Sequence, residues 1–95
     1  MSMYIWKVGL ELQWKSTWTE NKKSKSYLWE EDELVFNVAA ESGRAAIIKA
    51  EKLAMGKEPW TGTHYCDDDT EIPSTETPHK VLDIVSLGLL QSLDG

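Results

Sequence analysis

The chain of 95 residues holds one cysteine, Cys66, which excludes an intrachain disulfide framework and any zinc site built on a Cys-x-x-Cys pair. No apolar run approaches the roughly 18 residues that a helical membrane span needs. The longest, Ile84 to Leu90, is broken by Ser86 and Gly88. Met1 to Leu10 lacks a basic start followed by an apolar stretch, so no secretory signal is read there and the expectation is a soluble, cytoplasmic protein without a membrane partner. Basic residues are outnumbered, ten against sixteen acids for a net charge of −6. A protein that gains affinity by neutralising phosphates wants the opposite balance. The glycines at 43, 56, 62 and 88 have neither phosphate-loop nor dinucleotide spacing, no catalytic signature stands anywhere, and the reading is a non-enzyme without a cofactor.

What is present is an abrupt change of period. Leu34, Phe36, Val38 and Ala40 alternate with period two, and from Ser42 the apolar residues follow a period near 3.6 until Gly56. A strand therefore feeds a helix over about 42–55, with Ser42 placed to cap its first turn and Gly56 to end its last. Ala46, Ile47, Ala50, Leu53 and Ala54 fall within about 120° of arc, the predicted core stripe. Ile48 and Met55 lie on the other side and are expected to meet a loop or a second subunit.

Upstream, the even positions from Tyr4 to Trp14 are all apolar, which predicts a half-buried strand over about 3–15. Residues 19–33 have loop composition, and so has the stretch 56–80, which holds all three prolines. Val81 to Leu90 reads as a last strand whose blurred alternation suggests a bulge near Gly88 or burial of both faces. The predicted fold is one α+β domain over 1–95, ββαβ in order. It has a three-stranded, mainly antiparallel sheet with strands at 3–15, 34–40 and 81–90, the first strand in the middle, one helix on one face and a long irregular loop before the last strand. A first strand of about 35 Å outreaches a helix of about 20 Å. Either Gly9 bends it, or Trp14 and Trp18 project beyond the helix and are covered by Trp60 or by a second protomer. From Leu34 to Leu90, closing on Leu87-Gly88-Leu89, the order resembles small ββαβ proteins encoded by phages and mobile elements, in architecture alone.

Five tryptophans stand out in so short a chain. Trp6 reads as core, whereas Trp14, Trp18, Trp29 and Trp60 are the candidate binding residues, because large amphipathic rings serve recognition surfaces as well as cores. The bland alternative is that they pack on one another as a second small core. Charge runs in blocks: residues 1–29 sum to +3, 30–43 to −5, 44–57 to +3 and 58–95 to −7. Together these features favour a noncatalytic protein-binding or accessory module that uses loop tryptophans and acidic segments, with a protein partner or a second copy of the chain as its target. One alternative is a small metal-dependent or hydrolytic protein built on His64, Cys66, Asp67 and Asp69 in the acidic run Asp67–Asp69. Its spacing matches neither a structural zinc nor a calcium-loop pattern, so no metal is expected. The other is single-stranded nucleic-acid binding through Lys22, Lys23 and Lys25 beside Trp18, which the adjacent Glu30-Glu31-Asp32-Glu33 opposes by repelling phosphate.

Overall fold

A computed structural model describes residues 2–93 as an antiparallel sheet of four strands in the order β2-β1-β4-β3, with one helix on one face. The strands are β1 (Tyr4–Glu20), β2 (Lys23–Ala40), β3 (Trp60–Tyr65) and β4 (Glu71–Ser92), and α1 (Gly43–Met55) lies between β2 and β3. The α+β class and the central position of the first strand agree with the sequence reading, but the sheet has four strands rather than three. The expected loop over 19–33 is instead the end of β1, a two-residue turn and the first part of β2, and the expected irregular loop over 56–80 holds β3 and the start of β4. The molecule is a rod of 59 × 17 × 17 Å. A 17-residue strand spans about 55 Å when extended, so β1 sets this length and runs straight through Gly9.

Between β1 and β2 the chain turns in two residues, Asn21 (φ 51°) and Lys22 (φ 64°), the type I′ geometry whose twist matches a hairpin. Pairing then continues from Glu20↔Lys23 to Tyr4↔Ala40, interrupted once where Leu10 faces Leu34 and Leu12 faces Glu31. Glu33 takes the left-handed conformation (φ 48°) at this bulge. One extra residue flips every side chain beyond it to the other face. Leu34, Phe36, Val38 and Ala40 therefore share the helix-covered face with Trp29 and Glu31, although the first set is even-numbered and the second odd.

In β4 the same device occurs four times: the register against β1 shifts between Ile5 and Trp6, Gly9 and Leu10, Glu11 and Leu12, and Gln13 and Trp14. The residues opposite the inward positions of β1 are Pro78, Val81, Ile84, Leu87 and Leu89, spaced mostly by three. That spacing blurred the alternation; the shift between Ile5↔Gln91 and Trp6↔Leu89 puts an irregularity at Leu90, near Gly88 as expected, whereas both faces are not buried, since many of the strand's side chains are exposed. Both prolines of β4 fit for a related reason. Strands flank β4 on both sides only at Thr75 and Glu76, so Pro73 needs to pair with β3 alone and Pro78 with β1 alone.

The helix starts where predicted: Ser42 is extended (φ −148°), and its Oγ accepts from Ala45 N at 3.2 Å. Its contact line is Ala46, Ala50 and Ala54, all fully buried against Val8, Leu10, Leu12, Val38 and Ala40. Alanine at successive i, i+4 positions lets the helix axis approach the sheet closely. At the entry, a Cβ on Gly43 would sit 2.8 Å from Leu87 Cδ2 and 3.4 Å from the Trp6 ring, so a larger residue there requires the Leu87 side chain to shift. Leu53, placed in the stripe by periodicity, is instead 51% exposed, because the alanine line turns it out over β2. Ile48 and Met55 are exposed as well.

Candidate functional site

Thirteen residues of helix cover about 20 Å of the sheet, which leaves the half of β1 from Trp14 onward to be covered by something else. The first cover is aromatic. Trp14 stacks on Trp29 with centroids 5.6 Å apart and planes within 8°. Trp60, delivered by the Lys57–Pro59 connection, meets both rings edge-on at 6.3 and 6.2 Å. Trp14 is buried, its Nε1 donating to Glu31 Oε1 at 3.1 Å. Beneath this cluster lies a buried carboxylate, Glu76, whose oxygens accept from Ser16 Oγ at 2.7 Å and Trp29 Nε1 at 2.9 Å. Two donors on two oxygens make it a structural acceptor for a tryptophan that would otherwise bury an unpaired N–H.

The second region is the tip, where the β1–β2 and β3–β4 hairpins meet. Pairing of β1 with β4 stops at Thr17↔Thr75, so the β3–β4 hairpin is free to fold over the end of β1. Trp18 stacks on His64, centroids 3.9 Å apart, and Trp18 Nε1 is buried without an acceptor. Glu20 sits at the centre. Its Oε2 accepts from Lys25 Nζ at 2.7 Å, its Oε1 accepts from Cys66 Sγ at 2.9 Å, and His64 Nε2 lies 3.9 Å from Oε1. Those contacts hold the Glu20 carboxyl below its ordinary range, the Cys66 thiol first and Lys25 next. In return the Glu20 carboxylate, assisted by burial, pushes the Cys66 thiol up to about 11. These groups line an open depression of about 590 Å³.

Only part of the predicted acidic loop reaches the tip. Asp67, Asp68 and Asp69 form a three-residue hairpin turn: Asp69 N donates to Cys66 O, Cys66 N donates to Thr70 O, both at 2.9 Å, and Asp69 is left-handed (φ 65°). The Thr70 side chain first, and then Thr70 N, which donates to Asp68 Oδ1, hold the Asp68 carboxyl below its ordinary range. Turn chemistry thus accounts for the aspartate run, and the donors that come together are Glu20, His64 and Cys66. Of the candidate binding residues, Trp14, Trp29 and Trp60 pack on each other and Trp18 packs on His64. Of the lysines, Lys25 is paired with Glu20, while Lys22 lies in the turn and Lys23 opens β2. Glu20 and Glu76 were not singled out from the sequence. The signals were the even parity of Glu20 with Trp14 and Trp18, and the i, i+2 relation of His64 and Cys66 once 60–65 is read as a strand.

The third region is an edge. β3 reaches only to Trp60↔Glu76, so among the described residues no strand pairs with β4 beyond Glu76 on the side away from β1. Along this stretch Val85, Leu87, Leu89, Leu90 and Leu93 are about half exposed. Asp83 is the only charged residue from Val81 to Leu93.

Comparison with known protein families, with curated proteins and with solved structures finds no match to the chain. No helix among the described residues is long and apolar enough to cross a membrane.

The Cys66 environment makes a direct prediction. A thiol titrating near 11 rather than 9 has roughly a hundredfold less thiolate at neutral pH. In chelator-treated protein, alkylation of Cys66 by iodoacetamide should be slower than that of a free thiol by about that factor, rising with pH until near 11. Glu20→Gln removes the carboxylate charge and should speed the reaction at pH 8 by about tenfold. A rate that levels off near pH 9 in the wild-type protein would contradict the contact.

Proposed function

We propose that the protein is a noncatalytic binding module that works by strand addition at the outer edge of β4, and that its partner is a second copy of the chain. The observation that carries this reading is the open backbone edge beyond Glu76, flanked by half-exposed Val85, Leu87, Leu89, Leu90 and Leu93. A long apolar edge strand is a template for pairing, and monomeric proteins commonly blunt such edges with lysine, proline or a covering element. From Val81 to Leu93 the only charge is Asp83, and both Pro78 and Lys80 stand ahead of that segment, at the start of the open edge. The electrostatics do not oppose self-association at this edge: the chain carries a net charge of −6, but the segment from Val81 to Leu93 is nearly neutral. Two antiparallel β4 edges related by a two-fold axis would join the sheets into one of eight strands, the commonest symmetry for such an interface. In this reading the tryptophans support the rod from within, and the sole thiol is held protonated rather than poised as a nucleophile.

Sedimentation velocity tests it. The wild-type chain should run as a dimer at micromolar concentration. Val85→Lys/Leu90→Lys, which alters two side chains already half exposed, should run as a monomer with an unchanged circular dichroism spectrum. A monomeric wild type, or a dimer indifferent to the double substitution, would overturn the proposal.

A further inference from the structure

We propose that Glu20, His64 and Cys66 form a binding site for a divalent cation of borderline softness, zinc foremost, with its fourth coordination position open to the depression at the tip. One carboxylate oxygen, one imidazole nitrogen and one thiol sulfur lie within 4.8 Å of one another, drawn from two separate hairpins. Tetrahedral zinc, with bonds of about 2.0–2.3 Å, places its ligands about 3.3–3.8 Å apart. The Cys66 Sγ to Glu20 Oε1 contact of 2.9 Å would open slightly, and the His64 Nε2 to Oε1 separation of 3.9 Å is already close to that range. Small side-chain rotations are enough.

The surroundings suit a cation. Lys25 binds Glu20 Oε2 and leaves Oε1 facing the other donors, while the Trp18 ring holds the His64 imidazole flat against it. Outer contacts of this kind fix ligand orientation in metal sites. Asp67 and Asp68 border the same depression and add negative potential, and the opening provides entry from solvent. A mixed nitrogen, sulfur and oxygen set selects zinc or cobalt over magnesium and calcium, which take oxygen donors. Loading exchanges a proton for the cation: the Cys66 S–H bond breaks, the proton passes to solvent and the sulfur bonds the metal, with no change of oxidation state. The site stands at the end of the rod opposite to Val85–Leu93, so it is independent of strand addition there.

The test uses the full chain, stripped with a chelator and titrated with zinc chloride against a chromogenic competitor, then separately with cobalt(II) chloride. One zinc per chain at micromolar affinity or better is expected. The cobalt form should show tetrahedral visible bands and a thiolate-to-cobalt charge-transfer band. Cys66→Ser should abolish that charge-transfer band, and Cys66→Ser, His64→Ala and Glu20→Gln should each weaken zinc binding at least about tenfold. Asp69→Asn, in the turn but outside the donor set, should bind as the wild type does. Failure of the wild-type chain to bind zinc, a cobalt spectrum without the thiolate band, or equal weakening by Asp69→Asn would overturn the site. The wild-type cobalt spectrum decides without any variant, so a misfolded mutant cannot mask the answer.

Discussion

Trp14→Ala is expected to reduce the free energy of unfolding by about 3–5 kcal/mol, the usual cost of deleting a large buried aromatic side chain. Trp14 is 2% exposed, although it lies beyond the reach of the helix. Its cover is Trp29 stacked at 5.6 Å and Trp60 edge-on at 6.3 Å, with the Lys57 ammonium 6.0 Å from the ring centroid. Removing the central ring leaves two others without a surface to pack on and strips Glu31 of a donor. The loss should therefore exceed that of Trp60→Ala, since Trp60 is already 48% exposed. Chemical denaturation of both variants gives the comparison. The coupled-ring signature of the stacked pair in circular dichroism should vanish with Trp14 and be weakened little by loss of Trp60. Equal costs for the two substitutions would mean that the aromatic cluster is not organised around Trp14.

At the other end of the rod, Ala50→Asp should be as damaging, by about 3–5 kcal/mol, because it puts an uncompensated charge into a dry contact. Ala50 is fully buried at the middle of the Ala46-Ala50-Ala54 line. The buried side chains clustered with that line are Val8, Leu10, Leu12, Trp14, Val38 and Ala40. At roughly 4–8 °C per kcal/mol for a domain of this size, the melting temperature should fall by well over 10 °C. Leu53→Asp, three residues on, should change it by no more than a few degrees, because that side chain is half in solvent. The pair separates a helix docked on its alanines from one docked on the stripe that includes Leu53. If the two substitutions cost the same, the docking face described here is wrong.

Elements with a strong period were legible in the sequence, and elements held by their neighbours were not. Tyr4 to Trp14 alternates because one face lies under helix and aromatics, and Ser42 marks the helix start because its hydroxyl accepts from the backbone. In contrast, Lys23 to Glu33 is strand despite loop composition. Its inward positions are Lys25, Tyr27, Trp29 and Glu31, of which only Trp29 is a hydrophobe packed against the core, and that only partly buried, so no apolar alternation exists to be read. Pairing along the whole of β1 supplies the hydrogen bonds that order it. In β4, four register shifts turned a period of two into a spacing near three. β3 was missed for its brevity and for the prolines around it, although Thr, Trp and Tyr are good strand formers.

The tip divides in the same way. The residue types that bind metals were visible at His64 and Cys66, but the aspartates beside them were turn formers, and the third donor came from Glu20, more than forty residues earlier in the chain. By itself the sequence determined the α+β class, the helix and its cap, and the inward face of the first strand, because each depends on groups near in sequence or on a local period. The rod shape, the fourth strand, the docking of the helix on alanines, the tryptophan cluster over Glu76 and the meeting of Glu20 with His64 and Cys66 were decided by tertiary structure. Each depends on the register between strands distant in sequence, and a single bulged residue reverses which face a side chain occupies.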